Sequence, residues 1–210
     1  MVNVINASSL TLQAIRQQFH LKSEFEENLA AFLPLPDLTP TQQAHLTSIR
    51  TDWNRYLSAG KVSEGEVKVF ILSRLLVEAG YLSREDLRVS LEEQVSAVEV
   101  EDSDHIIRGR MDLLICQEQT NSTVPLCILV IETKNSEIDV RAGLPQLLFY
   151  MHSFLGQQAV VWGLVTNGET YLFVRLVSGT FQLFPYLVIS SPQQAEQILE
   201  ALIALARAKP

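Results

Sequence analysis

Cysteine, basic charge and long apolar runs are all scarce in this chain. Its two cysteines, Cys116 and Cys127, give neither the spacing of a metal-ligand set nor a disulfide framework. Both sit in apolar, strand-like segments, which predicts small core residues. Lys and Arg number 16 against 24 Asp and Glu, a formal net charge of −8. That balance argues against tight, metal-free, non-specific binding to nucleic acid, although a basic face or a metal-masked acidic pocket is compatible with it. No apolar run approaches the ~18 residues that span a bilayer. The first ten residues lack the basic start and apolar stretch of a signal peptide, so a cytoplasmic, membrane-free protein is expected. Internal repeats, low-complexity segments and flexible linkers are missing too.

The 210 residues, 47% hydrophobic and 19% charged, fit one soluble globular domain with a helical extension. The first third reads as helical: Leu10, Ile15, Phe19, Phe25, Leu29, Phe32 and Leu33 punctuate a polar stretch, and Pro34, Pro36 and Pro40 then break it. Residues 41–57 carry Leu46, Ile49, Trp53, Tyr56 and Leu57 at helical spacing, and Gly60 ends that helix. The boundary is therefore drawn there, with an N-terminal helical extension over residues 1–60 and the core over 61–210. A helix over residues 63–79 opens on a capping box of Ser63 and Glu66. Its apolar residues wrap most of its circumference, which predicts burial.

From Arg88 the period changes to two, with Val89, Leu91 and Val95 on one face of a half-buried strand. Two apolar strands follow at 106–116 and 126–133, joined by a polar loop that contains the sequon-like Asn121-Ser122-Thr123. A helix over 140–155 and strands at 159–166, 171–177 and 181–189 come next, with a tight turn at Asn167-Gly168. The last helix has Ser191 as N-cap, Pro192 at its first position and Gln194 as capping-box partner. The class is α/β, a central mixed sheet flanked by the helices at 63–79 and 140–155.

The segment that carries chemistry runs from Gly109 to Lys134. Gly109-Arg110-Met111-Asp112 lies inside one apolar strand, and Ile131-Glu132-Thr133-Lys134 ends the next. Glu132 and Lys134 are two apart, so in an extended chain both project from one face. If the two strands are antiparallel neighbours, Asp112 lies beside Glu132. Two such carboxylates repel, and each resists ionisation unless something positive compensates. A divalent cation with oxygen ligands supplies that compensation, and Lys134 adds a fixed positive charge. Phosphodiester hydrolysis needs a positioned water and neutralised phosphoryl charge, which carboxylate-held metal and an adjacent ammonium provide. Taken singly, a Glu-x-Lys at a strand end is an ordinary surface pair worth under ~1 kcal/mol. The joint pattern is harder to reach by accident.

Gly109 to Asp112 followed by Val130 to Asn135 resembles the PD-(D/E)XK restriction-endonuclease-like superfamily. More narrowly, the chain looks like small cyanobacterial proteins related to the N-terminal nuclease domain of type I restriction enzyme R subunits. The likeness extends through residues 63–68 and 143–151, and covers roughly residues 60–190. It implies a restriction-endonuclease-like core in which Asp112, Glu132 and Lys134 are the motif residues. It also implies Glu64 as a helix carboxylate completing a Mg2+ or Mn2+ shell with Asp112 and Glu132. Gln146 matches a helix glutamine beside the site, and Tyr150 lies one turn further on the same face. Glu64 has a second reading as a favourable charge at a helix N-terminus. Pro145 departs from the pattern: proline inside a helix costs about 3 kcal/mol, so the helix begins late or bends there.

The implied activity is metal-dependent cleavage of DNA in restriction or defence. Type I R subunits carry an ATP-driven motor, but this chain has no phosphate-binding loop: Gly60-Lys61 is followed by Val62, and position 55 is Arg. Activity is therefore expected to be ATP-independent, or to draw on separate motor or specificity subunits. Cutting both strands of a duplex takes two sites, which a homodimer supplies most simply. A repair or structure-specific nuclease with the same site, and a non-catalytic binding module that kept the fold, are the alternatives.

Overall fold

The computed structural model describes residues 3–99, 105–119 and 125–208. The sequon-like Asn121-Ser122-Thr123 falls outside them. The described residues build one nine-stranded mixed sheet in the order β1-β4-β5-β6-β7-β8-β2, with β3 on β4 and β9 on β7. The strands are β1 (Asn3–Asn6), β2 (Lys22–Phe25), β3 (Leu87–Glu99), β4 (His105–Gln117), β5 (Leu126–Thr133), β6 (Val160–Thr166), β7 (Thr170–Val177), β8 (Thr180–Leu183) and β9 (Leu187–Val188). Helices cover both faces. α2 (Pro40–Ser58), the rod of α3 (Glu64–Val67) and α4 (Ser73–Glu78), and α6 (Pro192–Arg207) pack on one. α1 (Leu12–Gln18) and α5 (Leu144–His152) pack on the other. Leu113, Ile115 and Ile131 point into the first layer, and Leu114 and Val130 into the second, as a pleat buried on both sides requires. No helix among the described residues is long and apolar enough to cross a membrane.

Several expectations need correcting, the simplest being the strand expected over 181–189, which divides into β8 and β9. The extension expected over residues 1–60 is not purely helical, because it contributes β1 and β2, which pair with β4 and β8, both parallel. Each strand has only four residues, too few for a period of two to stand out. α2 is also bound to the core, through Trp53 Nε1 donating to Glu169 Oε2 at 2.8 Å.

The helix expected over 63–79 starts on its Ser63–Glu66 capping box, but a π-helical turn, Lys68–Leu72, interrupts it. A π turn rotates the following residues, so the apolar stripe changes face and only looks continuous around a straight helix. Val67, Ile71, Leu72, Leu75 and Leu76 are buried, whereas Val69 and Val77 are exposed. On β3, Leu91 is exposed rather than half-buried. Finally, Gln194 does not complete a capping box at Ser191; its Oε1 accepts instead from the Val188 N–H at 2.7 Å.

The topology places an opening on β4. β3 runs along one edge of that strand from Ile106 to Gln117. The other edge is shared: β1 takes it up to Asn6↔Arg108, and antiparallel β5 takes it from Leu113↔Ile131 onward. Residues 109–112 lie in the fork between them. β5, α5 and β6 form a crossover unit, with β5 and β6 parallel and Glu132 level with Val165.

Candidate active site

The fork opens into a cavity of about 650 Å3. Asp112 and Arg110 come from β4, Glu132 and Lys134 from the carboxyl end of β5, Gln146 and Tyr150 from α5, and Glu64 from the start of α3. All four residues expected to be catalytic and the third expected metal carboxylate thus line one space.

Close packing on two glycines shapes it. A Cβ on Gly109 would lie 2.7 Å from Tyr150 Oη and 2.7 Å from Ala7 Cβ, so only glycine lets α5 approach β4 here. A Cβ on Gly143 would meet Val165 Cγ1 at 2.7 Å and Glu132 Cγ at 3.1 Å. Pro145 sits in the first turn of α5, after a 3-10 turn over Val140–Gly143. The helix begins late, as its proline requires, and still delivers Gln146 to the cavity. There Gln146 Nε2 donates to Tyr150 Oη, which donates to the Arg110 carbonyl, both at 2.8 Å. Burial raises the Tyr150 hydroxyl to about 12.

The two carboxylates Asp112 and Glu132 sit differently. Glu132 is 1% exposed. Its Oε1 accepts from Lys134 Nζ at 2.5 Å, so the pair predicted to share a face does so. Its Oε2 is buried and has no hydrogen-bond partner among the described residues. Burial first, then the charge of Asp112, push Glu132 up to about 8, against the opposing pull of Lys134. Asp112 is satisfied: Oδ2 accepts from the Thr133 N–H and from Thr133 Oγ1, each at 2.7 Å, and Oδ1 accepts from Lys68 Nζ at 2.6 Å. Lys68 is thus the compensating charge that the sequence left unidentified. Its position one helical turn after Glu64 puts it on the same face, which is the signal for it.

Among the described residues, no three His, Cys, Asp or Glu side chains are grouped closely enough to hold a metal ion. Glu64 lines the cavity without joining Asp112 and Glu132 in one cluster. The orphaned Glu132 Oε2 is nevertheless the kind of atom that a hard cation takes, since a buried, unpartnered carboxylate oxygen is costly without one. Arg108, Arg110 and Lys134 also line the cavity, and Lys68 lies against Asp112. Basic side chains therefore gather here despite the net charge of −8. The chain matches no protein-family model, and no curated protein matches it.

Proposed function

We propose that this chain is a divalent-metal-dependent endonuclease of the PD-(D/E)XK type, hydrolysing DNA phosphodiester bonds in restriction or defence, without using ATP itself. One observation carries the reading: a buried carboxylate with an oxygen that lacks a partner among the described residues, Glu132, lining a partly basic cavity together with Asp112 and Lys134. Asp112 Oδ1 and Glu132 Oε2 are the atoms that would hold Mg2+ or Mn2+, with water and phosphate oxygens filling the remaining positions and Glu64 acting from further out. When bound, such an ion polarises a phosphoryl oxygen and lowers the pKa of a bound water. Lys134 holds Glu132 in place and presents its ammonium to the negative charge that develops on the phosphoryl group. Gln146, fixed through Tyr150 to the β4 backbone, orients water or a phosphate oxygen. Arg108 and Arg110 attract and align the nucleic-acid backbone. A two-fold homodimer supplies the second site for a double-strand cut.

A non-catalytic binding module is favoured by one observation: both motif carboxylates already carry a lysine. Incubation with plasmid DNA separates the readings. The nuclease nicks or linearises the plasmid with Mg2+ or Mn2+, stops in chelator, and loses at least about a hundredfold in rate on Glu132→Gln. No metal-dependent cleavage, or equal cleavage by Glu132→Gln, rejects it.

A further inference from the structure

Asp112 has no idle oxygen. Thr133 donates twice to Oδ2, and Lys68 occupies Oδ1 at 2.6 Å. The Thr133 contacts come from the backbone N–H and the hydroxyl of a fully buried residue at the end of β5, so that side of the carboxylate is fixed. Only the Lys68 side can change. An oxygen has room for two partners, but an ammonium and a divalent ion on the same oxygen repel strongly at such short range. Lys68 opens the π-helical turn, and its side chain keeps 20% of its surface exposed, so its ammonium has somewhere to go. Glu64, one turn earlier on the same helix, lines the cavity towards which it would move.

We propose that Lys68 is an internal competitor for the cation at Asp112, released when a substrate phosphate in the cavity accepts its ammonium, so that metal and substrate bind cooperatively. The inference rests on the nuclease reading and goes beyond it, for it makes Lys68 a positioning residue that holds the site closed to metal until substrate arrives. Without substrate, Lys68 stabilises Asp112 and weakens ion binding. With a phosphate present, the ammonium exchanges a carboxylate for a phosphate oxygen, and Oδ1 is freed. The coupling is reciprocal, as binding linkage requires.

Calorimetric titration of Mn2+ into the chelator-stripped chain tests this, alone and with a short phosphorothioate DNA duplex that resists cleavage. Lys68→Met should bind Mn2+ about tenfold more tightly than wild type without DNA, a typical coupling magnitude. DNA should tighten Mn2+ binding by wild type about tenfold more than by Lys68→Met. Lys61→Met removes the same charge from an exposed pair with Glu137 and should behave as wild type. Lys68→Arg keeps the competing cation and should retain both the weak binding and the DNA effect. Equal Mn2+ affinity in wild type and Lys68→Met, equal tightening by DNA, or the same gain in Lys61→Met would overturn the competitor role and leave the metal site standing. Absence of Mn2+ binding in wild type and Lys68→Met alike removes the inference together with the nuclease reading.

Discussion

Two ion pairs of the same make-up behave in opposite ways. Glu132 with Lys134 and Arg84 with Asp86 each join a carboxylate to a cation two residues away. Asp86 lies at the surface, with 42% of its side chain exposed, and is held by Arg84 and by Gln117 at 2.7 Å. Those hydrogen bonds pull it down to about 2. Glu132, with 2% of its side chain exposed, is driven up to about 8 even though its lysine is equally close at hand. The difference lies in what surrounds each pair. Water and several donors favour ionised Asp86, whereas burial and a neighbouring Asp112 penalise ionised Glu132 more than one lysine repays. A protein that needs only a surface clasp uses the first arrangement. The second leaves a buried carboxylate oxygen without a hydrogen-bond partner among the described residues.

The sharpest way to break this contrast is to remove the cation from the buried pair. In chelator at pH 9, Lys134→Met should cost about 3 kcal/mol in denaturant unfolding, because it strips the partner from a buried charge. At pH 6 the cost should shrink, since Glu132 is then protonated. A loss independent of pH would mean that Lys134 matters for packing alone.

The pH dependence of wild type in chelator comes next. Folded Glu132 keeps its proton to about 8, whereas the unfolded chain releases it near 4.5. The folded state therefore binds more protons across that interval, and stability falls as pH rises through it, by an amount on the order of a few kcal/mol. Glu132→Gln should remove this component, and an unchanged pH profile in the variant would contradict the burial account. The smallest effect belongs to Asp86→Asn. The Asp86 contribution is present above its unfolded pKa near 3.8 and is lost as pH falls towards 2. At neutral pH its melting temperature should barely move, as for other surface pairs. A large shift would erase the distinction between the two pairs.

Local features of the site were legible in the sequence, and its long-range contacts were not. The apolar run ending in Glu132 gave β5 its observed limits, and the two-residue spacing put Lys134 on the face of Glu132. The Ser63 capping box was equally local. Its spacing from Glu64 puts Lys68 on the helix face that carries Glu64, but Asp112 is 44 positions away and that contact is made only by folding. β1 and β2 stayed hidden because four-residue strands gain their stability from partners far along the chain. The π turn in the helical rod leaves no mark in the spacing, because the same apolar residues also fit a straight helix. Gln194 had the spacing of a cap but found a closer use on the backbone of β9.

The claim that Glu132 belongs to a cation site is tested most directly by melting wild type and Glu132→Gln with and without Mn2+, in the absence of DNA. At a hundredfold excess over Kd, Mn2+ should stabilise wild type by about 2.7 kcal/mol, even if Lys68 makes that Kd high. Glu132→Gln should gain far less, because the oxygen now without a partner is the one it loses. Equal metal responses in the two proteins would show that Asp112 and Glu132 do not form a metal site.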